Sequence, residues 1–352
     1  MQNSPLLSRP VVISGPCSAE TREQVINTAR ALKGRLNYFR AGLWKPRTRP
    51  NAFEGVGSKG LPWLVEVQKS VGIPVMTEIA NAQHAELALK YGLDAVWIGA
   101  RTTVSPFAVQ TIADALRGSG ITVLVKNPMH ADLKLWMGAI ERVQEATKGE
   151  VWALHRGFSS YGLQKFRNAP MWEIPIGLKA EMPDIQLFCD PSHICGNREL
   201  LQSISQKAMD LGMTGLMIES HENPAVALSD SDQQVSPQDL VKLLDKLNIR
   251  DLTLDETHIT DLRDLRIKMD SIDEQLVELL SGRMGISKAI GEYKKENGLT
   301  VLQLSRWREI IKTRKVWSEE MGLPEEFLRG ILEQVHKESI RIQSEILNSE
   351  KK

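Results

Sequence analysis

Eight short runs of β-forming residues alternate with helical segments through most of the chain. The runs predict eight strands, at Val11–Cys17, Tyr38–Leu43, Pro74–Ile79, Ala95–Ala100, Thr122–Lys126, Val151–Leu154, Ile185–Cys189 and Gly215–Glu219. Helical patterns fill most of the intervals, such as Arg22–Leu32 and Pro106–Leu116. Strands that helices cover on both faces are apolar throughout, and eight consecutive β/α units are typical of a closed parallel barrel. The sequence therefore predicts an α/β fold, a (β/α)8 TIM barrel.

A change of pattern near residue 255 marks the end of the predicted barrel. Only one of the 16 prolines, Pro324, follows this point, and apolar residues recur every three or four positions from Leu262 to Tyr293. This period predicts a helix of about 37 residues, roughly 55 Å long, and we expect it to pair with another chain because one small domain cannot cover it. Two further helices are predicted around 304–320 and 325–347. The predicted organisation is a barrel, a linker and an all-α three-helix domain that dimerises, at residues 1–247, 248–260 and 261–352.

Composition and charge exclude several classes of protein. Lys and Arg total 44, as do Asp and Glu, and a zero net charge argues against a general affinity for nucleic acid or for an anionic membrane. No apolar run approaches the roughly 18 residues of a membrane span, and the first residues lack a signal-peptide pattern. Three cysteines are too few for a disulfide framework, so we expect a cytoplasmic protein.

Polar and charged residues follow every predicted strand at its carboxyl end, which is where barrel enzymes place their active sites. Six of these residues are cations. Converging Arg and Lys side chains suit phosphate and carboxylate groups, so an anionic substrate with more than one phosphate is predicted. The six cations are Arg40, Lys45, Arg47, Arg101, Lys126 and Arg156.

A second group at the strand ends could bind a metal ion. Cys17, His193 and Glu219 follow three strands, and Asp230 lies eleven residues after Glu219. One thiolate, one imidazole and two carboxylates suit Mn²⁺, which we expect first, or Fe²⁺, Zn²⁺ or Co²⁺. A single buried Cys or His is more often a core residue, so the prediction depends on three of them ending strands of one barrel.

A glycine motif, Gly55-x-Gly57-x-x-Gly60, matches a dinucleotide-binding fingerprint. It follows residues 50–54, which do not have a strand pattern, and it falls inside the second β/α connection. We therefore interpret it as a flexible loop.

The motifs at the strand ends, in their order along the chain, resemble the 3-deoxy-D-arabino-heptulosonate 7-phosphate (DAHP) synthase family, in its short-barrel microbial subgroup. The likeness covers about residues 8–245. The motifs are Gly15-Pro-Cys-Ser, Arg40 with Lys45-Pro-Arg-Thr, Gly99-Ala-Arg-Thr-Thr, Lys126-Asn, His155-Arg-Gly, Asp190-Pro-Ser-His and Glu219. The resemblance implies condensation of phosphoenolpyruvate with erythrose 4-phosphate at a divalent metal, the step that opens aromatic amino-acid biosynthesis.

The same resemblance implies roles for individual residues. The metal ligands would be Cys17, His193, Glu219 and Asp230. Phosphoenolpyruvate would be held by Arg40, Lys45, Arg101, Lys126 and Arg156. The phosphate of erythrose 4-phosphate would bind Arg47 and Thr48, and Lys45 or a water on the metal would handle the proton of the water that adds at C2. Some relatives carry an N-terminal regulatory domain, which we do not expect here because the first strand begins about ten residues into the chain.

Two other reactions on this fold remain open. The related 3-deoxy-octulosonate 8-phosphate synthases use arabinose 5-phosphate. Their motif resembles Lys-Ala-Asn-Arg where this chain has Lys45-Pro46-Arg47-Thr48, so the sequence favours the four-carbon sugar, erythrose 4-phosphate. A metal-dependent aldolase would need no phosphoenolpyruvate and would release no phosphate.

On the predicted long helix, Arg283 and Lys294 fall on one face, about 16 Å apart, while Arg266 points elsewhere. Spacing alone favours a solvated charged face, which is where most helical Arg and Lys residues lie. The order Leu265-Arg266, Asp270, Ile272-Asp273, Arg283 and Tyr293-Lys294 resembles the all-helical chorismate mutases over about residues 260–348. That family rearranges chorismate to prephenate. The resemblance implies a site of Arg266 from the partner chain, Arg283, Lys294, Gln303, Arg306, Ser339 and Gln343, in which Lys294 and Gln343 stabilise charge on the breaking ether oxygen.

The sequence therefore predicts a bifunctional enzyme, a transferase barrel joined to an isomerase domain, forming a homodimer or a higher homo-oligomer. Its ligands would be phosphoenolpyruvate, erythrose 4-phosphate, chorismate and prephenate. We also expect prephenate bound at the helical domain to inhibit the barrel. Trp307 stands where many mutases have Glu, so the alternative is a helical domain that dimerises and senses ligands without catalysis.

Overall fold

The computed structural model describes residues 10–45, 53–161, 165–250, 256–301, 316–317 and 319–349. The chain divides into two compact units, residues 1–252 and residues 253–352. Each unit has its own architecture.

The first unit contains a closed barrel of eight parallel strands that are hydrogen-bonded in sequence order, with the last strand pairing with the first. The strands are β1 Val11–Gly15, β2 Tyr38–Arg40, β3 Val75–Ile79, β4 Ala95–Ile98, β5 Thr122–Lys126, β6 Val151–His155, β7 Gln186–Cys189 and β8 Gly215–Glu219. The predicted barrel is confirmed, and each strand lies within its predicted run or extends it by one residue. The runs at β1, β2 and β4 were predicted too long at their carboxyl ends, because non-polar residues such as Pro16, Ala41 and Gly99 continue the run after the strand has ended.

Ten α-helices of the described residues belong to this unit. They are α1 Arg22–Ala31, α2 Leu61–Ser70, α3 Ala82–Lys90, α4 Ala100–Thr103, α5 Pro106–Ala115, α6 Leu133–Ala146, α7 Glu173–Glu181, α8 Pro191–Cys195, α9 Leu201–Asp210 and α10 Pro237–Asp245. Side-chain caps begin several of the longer helices. Thr21, Asn81, Ser105 and Ser236, for example, each accept a hydrogen bond from the backbone N–H three residues later. The four- and five-residue helices α4 and α8 directly follow strands and carry two predicted site residues, Arg101 and His193.

The barrel has an inner and an outer core. Large apolar side chains fill the interior, among them Trp97, Trp152, Phe188 and Met217, and a larger apolar cluster lies between the strands and the helices. Inward and outward positions alternate along each strand, so the inner cluster fixes which later residues point inward. The barrel interior is therefore packed with apolar side chains beneath the carboxyl ends of the strands.

The glycine motif differs from its prediction. Gly57–Gly60 lies in the predicted second β/α connection but forms a turn of 3₁₀ helix that leads directly into α2, where a loop was expected. Gly60 is buried, and a Cβ atom there would lie 2.4 Å from Cδ2 of Leu43. The glycine therefore allows this turn to pack closely against the segment after β2.

The second unit contains two long helices, α11 Glu256–Glu296 and α12 Glu325–Asn348. The predicted long helix is confirmed. The two helices approach closely at Gly291, where a Cβ atom would lie 2.9 Å from Cδ1 of Ile346. The helix predicted around 304–320 falls mostly outside the described residues. Within the described part of the chain, we find no helix with the length and apolar character needed to span a bilayer.

Candidate active sites

Strand alternation carries charged residues into the mouth of the barrel. Met217 lies in the inner core, so Glu219, two residues later on β8, is the next inward position, and Lys126 follows Leu124 on β5 in the same way. Both side chains are buried. The local strand pattern therefore delivers them to one end of the barrel, above its apolar filling.

The candidate metal ligands come together at this end. Donor atoms of Cys17, Glu219 and Asp230 all lie within 4.8 Å of one another, and Sγ of Cys17 is 3.3 Å from Oδ2 of Asp230. The fourth predicted ligand, His193, places Nε2 3.9 Å from Oε1 of Glu219. Asp230 adopts a left-handed backbone conformation, with φ of +49°, which is uncommon outside glycine and is often found at functional sites.

The chemistry of this set fits a divalent cation. Burial raises the pKa of the Cys17 thiol to about 12, and the neighbouring Glu219 raises it further than Lys45 lowers it. With its pKa raised this far, the thiol is protonated at neutral pH, whereas a bound divalent cation would favour the thiolate. Burial would raise the pKa of Glu219, but His193, Arg40 and Lys45 outweigh it and hold that pKa at about 2. Glu219 is therefore an anion in the folded protein.

A buried carboxylate, Asp190, supports His193 from behind. Its Oδ2 lies 2.8 Å from Nδ1 of His193 and accepts a hydrogen bond from Lys126 Nζ, also at 2.8 Å. If Nδ1 carries the proton toward Asp190, Nε2 is left with its lone pair facing the Cys17–Glu219–Asp230 cluster. A carboxylate behind a ligating histidine is a common feature of metal sites.

Four of the six predicted cations line one pocket beside this cluster: Lys45, Arg101, Lys126 and Arg156. The pocket encloses about 570 Å³ of empty space, part of it open to solvent, and His193 and Asp230 also line it. Burial lowers the pKa of Arg156 to about 10, and the charges of Arg167 and Arg101 contribute to this decrease. Several cations that line one partly buried pocket favour an anionic ligand.

Arg40 is not among the residues that line this pocket. It is buried beneath the ligand cluster, donates to Oε1 of Glu219 at 2.7 Å and places its guanidinium carbon 4.6 Å from the ring centroid of Trp97. A direct contact with phosphoenolpyruvate stays a prediction for this residue. The sixth cation, Arg47, and its neighbour Thr48 lie outside the described residues.

Four of the residues predicted for the helical unit meet between α11 and α12. Nη1 of Arg283 donates to Oγ of Ser339 at 2.6 Å, and Nζ of Lys294 donates to Oε1 of Gln343 at 3.0 Å. Ser339 and Gln343 are buried, and burial lowers the pKa of Lys294. Arg266 is exposed on α11. The predicted residues Gln303 and Arg306, and the departure at Trp307, lie outside the described residues.

Comparison with protein-family models matches residues 8–255 to the DAHP synthetase I family, which is well over half of the chain. The chain belongs to this family. A second model, chorismate mutase type II, matches residues 265–344. The protein is thus an enzyme with a DAHP synthase domain, a transferase, and a chorismate mutase domain, an isomerase, as the sequence motifs indicated.

Individual relatives agree with this family. The phospho-2-dehydro-3-deoxyheptonate aldolase of Thermotoga maritima is 29% identical over 247 residues, covering 68% of this chain and 71% of that protein. A crystal structure of the enzyme with that name from Thermotoga maritima matches with a TM-score of 0.61 at 27% identity, covering 67% of this chain and 68% of the other. A 2-dehydro-3-deoxyphosphooctonate aldolase of Azoarcus sp. is 26% identical over 251 residues, covering 64% of this chain and 85% of that protein.

Sequence reasoning gave no role to several residues of the DAHP synthase domain that contact the candidate ligands. Asp190 stands in the Asp-Pro-Ser-His motif, and the fixed spacing of three residues to His193 was a signal for it. Gln233 donates to Oε2 of Glu219 at 2.7 Å, and Arg167 donates to Oδ1 of Asp230 at 3.0 Å. Their residue types carried no such signal, because these contacts depend on how two connecting segments fold over the barrel.

Proposed function

We propose that the barrel condenses phosphoenolpyruvate with erythrose 4-phosphate to give DAHP and phosphate, with a divalent metal ion, Mn²⁺ first, held by Cys17, His193, Glu219 and Asp230. The observation that carries this proposal is one pocket in which cations for an anionic substrate adjoin a thiol, an imidazole and two carboxylates. Membership of the DAHP synthetase I family supports the same reaction.

Each part of the pocket then has a chemical task. Lys45, Arg101, Lys126 and Arg156 bind the phosphate and carboxylate of phosphoenolpyruvate and hold its C3 toward the aldehyde. The metal ion, when bound, polarises the aldehyde carbonyl as a Lewis acid. Lys45, whose Nζ is 3.2 Å from Sγ of Cys17, or a water on the metal would move the proton of the water that adds at C2. Arg47 and Thr48 are proposed, on the family motif alone, to bind the phosphate of erythrose 4-phosphate.

Phosphate release tests the barrel reaction and its rivals together. The metal-stripped, full-length enzyme is given phosphoenolpyruvate with either erythrose 4-phosphate or arabinose 5-phosphate, with Mn²⁺ or with chelator. We expect phosphate only with Mn²⁺ and erythrose 4-phosphate. Release with arabinose 5-phosphate instead would favour the octulosonate reaction, which the relative from Azoarcus makes the second candidate. Carbon–carbon bond formation without phosphoenolpyruvate would favour a simple aldolase.

We infer that the helical unit converts chorismate to prephenate. The paired contacts Arg283–Ser339 and Lys294–Gln343 support this inference, because they place two cations of α11 against polar side chains of α12, and two cations suit a dianion. Lys294 and Gln343 stabilise charge on the ether oxygen as it breaks, and Arg266 completes the site of a partner chain.

Arg283→Ala is expected to lose at least about 100-fold in chorismate turnover, because it removes a charged contact to the substrate. Lys288→Ala is the matched control, since Lys288 is an exposed cation on the same helix. A full-length enzyme that binds chorismate but never consumes it would support the alternative, a dimerisation and sensor domain without catalysis.

Feedback inhibition is the remaining part of the proposal. We infer that prephenate bound between α11 and α12 slows the barrel reaction. The product of the second activity would then lower the rate of the first. Arg283→Ala in the full-length chain should release phosphate at the uninhibited rate in the presence of prephenate, as should a chain lacking residues 258–352. Unchanged inhibition of both variants would contradict this inference.

The three cysteines are free thiols, which supports a cytoplasmic location.

A further inference from the structure

Gln233 lies between two candidate metal ligands without being one of them. It belongs to the segment between β8 and α10 and is only 1% exposed. Its Nε2 donates to Oε2 of Glu219 at 2.7 Å, and its Oε1 accepts from Nη1 of Arg167 at 2.7 Å. A guanidinium only donates and an ionised carboxylate only accepts, so these two partners fix the orientation of the Gln233 amide.

Glu219 is held at both of its carboxylate oxygens. Gln233 occupies Oε2, and Arg40 donates to Oε1 at 2.7 Å from a fully buried position against Trp97. The carboxylate cannot rotate without breaking a buried hydrogen bond, which is costly in a medium of low dielectric constant. Each oxygen accepts one of these bonds and keeps a further lone pair that can face a cation.

The same contacts continue to the second carboxylate. Nη1 of Arg167 lies 2.7 Å from Oε1 of Gln233 and 3.0 Å from Oδ1 of Asp230. The other oxygen of Asp230 is 3.3 Å from Sγ of Cys17. Glu219, Gln233, Arg167 and Asp230 therefore form one hydrogen-bonded chain, and the length of that chain sets the separation of the two carboxylates.

The residue type at position 233 matters because it is neutral. Arg40 already forms an ion pair with Glu219, and a lysine or arginine at position 233 would add a second positive charge that repels an incoming cation. A glutamine amide orients the carboxylate without adding charge.

We propose that Gln233 is a positioning residue that sets the divalent-metal affinity of the candidate site, through Glu219 on one side and Arg167 with Asp230 on the other. This inference rests on the proposed metal-dependent function of the barrel. Hydrogen-bond partners behind metal ligands typically contribute about 10- to 100-fold in affinity or activity.

The test is Mn²⁺ binding to the full-length, metal-stripped chain carrying Gln233→Met, followed by the EPR signal of free Mn²⁺. Methionine has a similar size but makes neither hydrogen bond. We expect Kd to rise about 10- to 100-fold over the wild type, and saturating Mn²⁺ to restore most of the phosphate release. Gln206→Met is the matched control, because Gln206 is a half-buried glutamine on α9 that bonds Asp210 and Asn248.

Three results would overturn the inference. Equal Mn²⁺ affinity in Gln233→Met and the wild type would show that Gln233 does not set it. A loss of activity that excess Mn²⁺ leaves unrestored, together with a fall in the Tm of the metal-free protein, would indicate general damage instead. A wild type that binds no Mn²⁺ would overturn the metal-dependent function itself. If Gln233→Met does not fold, Gln233→Asn is judged by the same criteria, since its shorter amide cannot reach both partners.

Discussion

A single buried carboxylate connects the cation group and the metal-ligand group at the mouth of the barrel. Asp190 is fully buried, caps the first turn of α8, and contacts both Lys126 and His193. Burial would raise its pKa, but His193 and Lys126 hold that pKa well below its usual range. One charge therefore stabilises Lys126, a proposed substrate-binding cation, and orients the imidazole of His193, a proposed metal ligand.

Asp190→Asn should lower both metal affinity and the rate of phosphate release, each by on the order of 10- to 100-fold. The amide carries no charge to balance Lys126 and no longer fixes which nitrogen of His193 is protonated. Mn²⁺ titration and steady-state kinetics measure the two effects. Asp245→Asn, which removes an exposed ion pair with Arg35, is the control and should change neither. Wild-type metal affinity in Asp190→Asn would contradict the role given to Asp190.

His155 makes the stability of the barrel sensitive to acid. Burial lowers its pKa from 6.5 to about 3. The unfolded chain therefore binds a proton first, and the stability that the neutral imidazole contributes above pH 6.5 is lost as the pH falls toward 3. His155→Phe should remove this loss, so that between pH 7 and pH 5 the variant declines by about 2 kcal/mol less than the wild type.

Urea unfolding of the barrel at pH 7, 6 and 5 measures the effect of His155. The exposed His130→Gln is the control and should follow the wild type. Parallel curves for His155→Phe and the wild type would show that this imidazole is not responsible for acid sensitivity.

At the scale of elements, the junction of β1 and β2 is set by one glycine. Gly15 ends β1 with φ of +149°, and a Cβ atom there would lie 2.0 Å from the backbone oxygen of Arg40. A clash with backbone cannot be relieved by a rotamer change. The glycine therefore lets the two strands approach at the point where Arg40 turns toward Glu219.

Gly15→Ala should destabilise the barrel by about 3 kcal/mol or more and should disturb the Arg40–Glu219 pair. Gly34→Ala is a matched comparison, because Gly34 also has a positive φ, +78°, but nothing lies within 4 Å of its Cβ position. That variant should cost only about 1–2 kcal/mol. Thermal unfolding of both proteins gives the difference, and equal costs would argue against a steric role for Gly15.

The elements differ in how far the sequence could predict them. Continuous apolar runs and helical periods predicted the eight strands and the long helix, because each buries a face over many residues. The short helices α4 and α8 have four and five residues, too few to show a period. No local sequence pattern predicts the left-handed conformation of Asp230 or the placement of Gln233 and Arg167, because these features depend on contacts with distant segments. The inward direction of Arg40, two residues after Tyr38, was predictable from strand alternation, but its pairing with Glu219 was not.

At the scale of the whole molecule, α11 carries more apolar surface than α12 covers. Met269, Ile272, Leu276 and Leu279 are each more than half exposed and recur at intervals of three and four. An apolar stripe of this kind is typical of a helix that pairs with another chain. We therefore expect a homodimer or a higher homo-oligomer formed through α11.

A double variant, Ile272→Glu with Leu279→Glu, should shift the protein toward monomers at micromolar concentration, because it places charge in the middle of the stripe. Sedimentation velocity gives the mass. Val226→Glu, which changes an exposed apolar residue of the barrel unit, should leave the mass unchanged. Mutase activity should fall with the dimer if Arg266 serves the partner's site. A monomeric wild type would contradict the expectation.

The four candidate ligands are also spread along the chain in a way that bears on folding. Cys17 follows the first strand of the barrel, whereas Glu219 ends the last strand and Asp230 comes just after it; those two strands are neighbours in the closed ring. An ion bound by all of them would link the first and last strands, β1 and β8, at the point where the barrel closes. Release of the ion would then loosen the barrel at this point first, and a concentration 100 times Kd would stabilise the closed ring by about 2.7 kcal/mol.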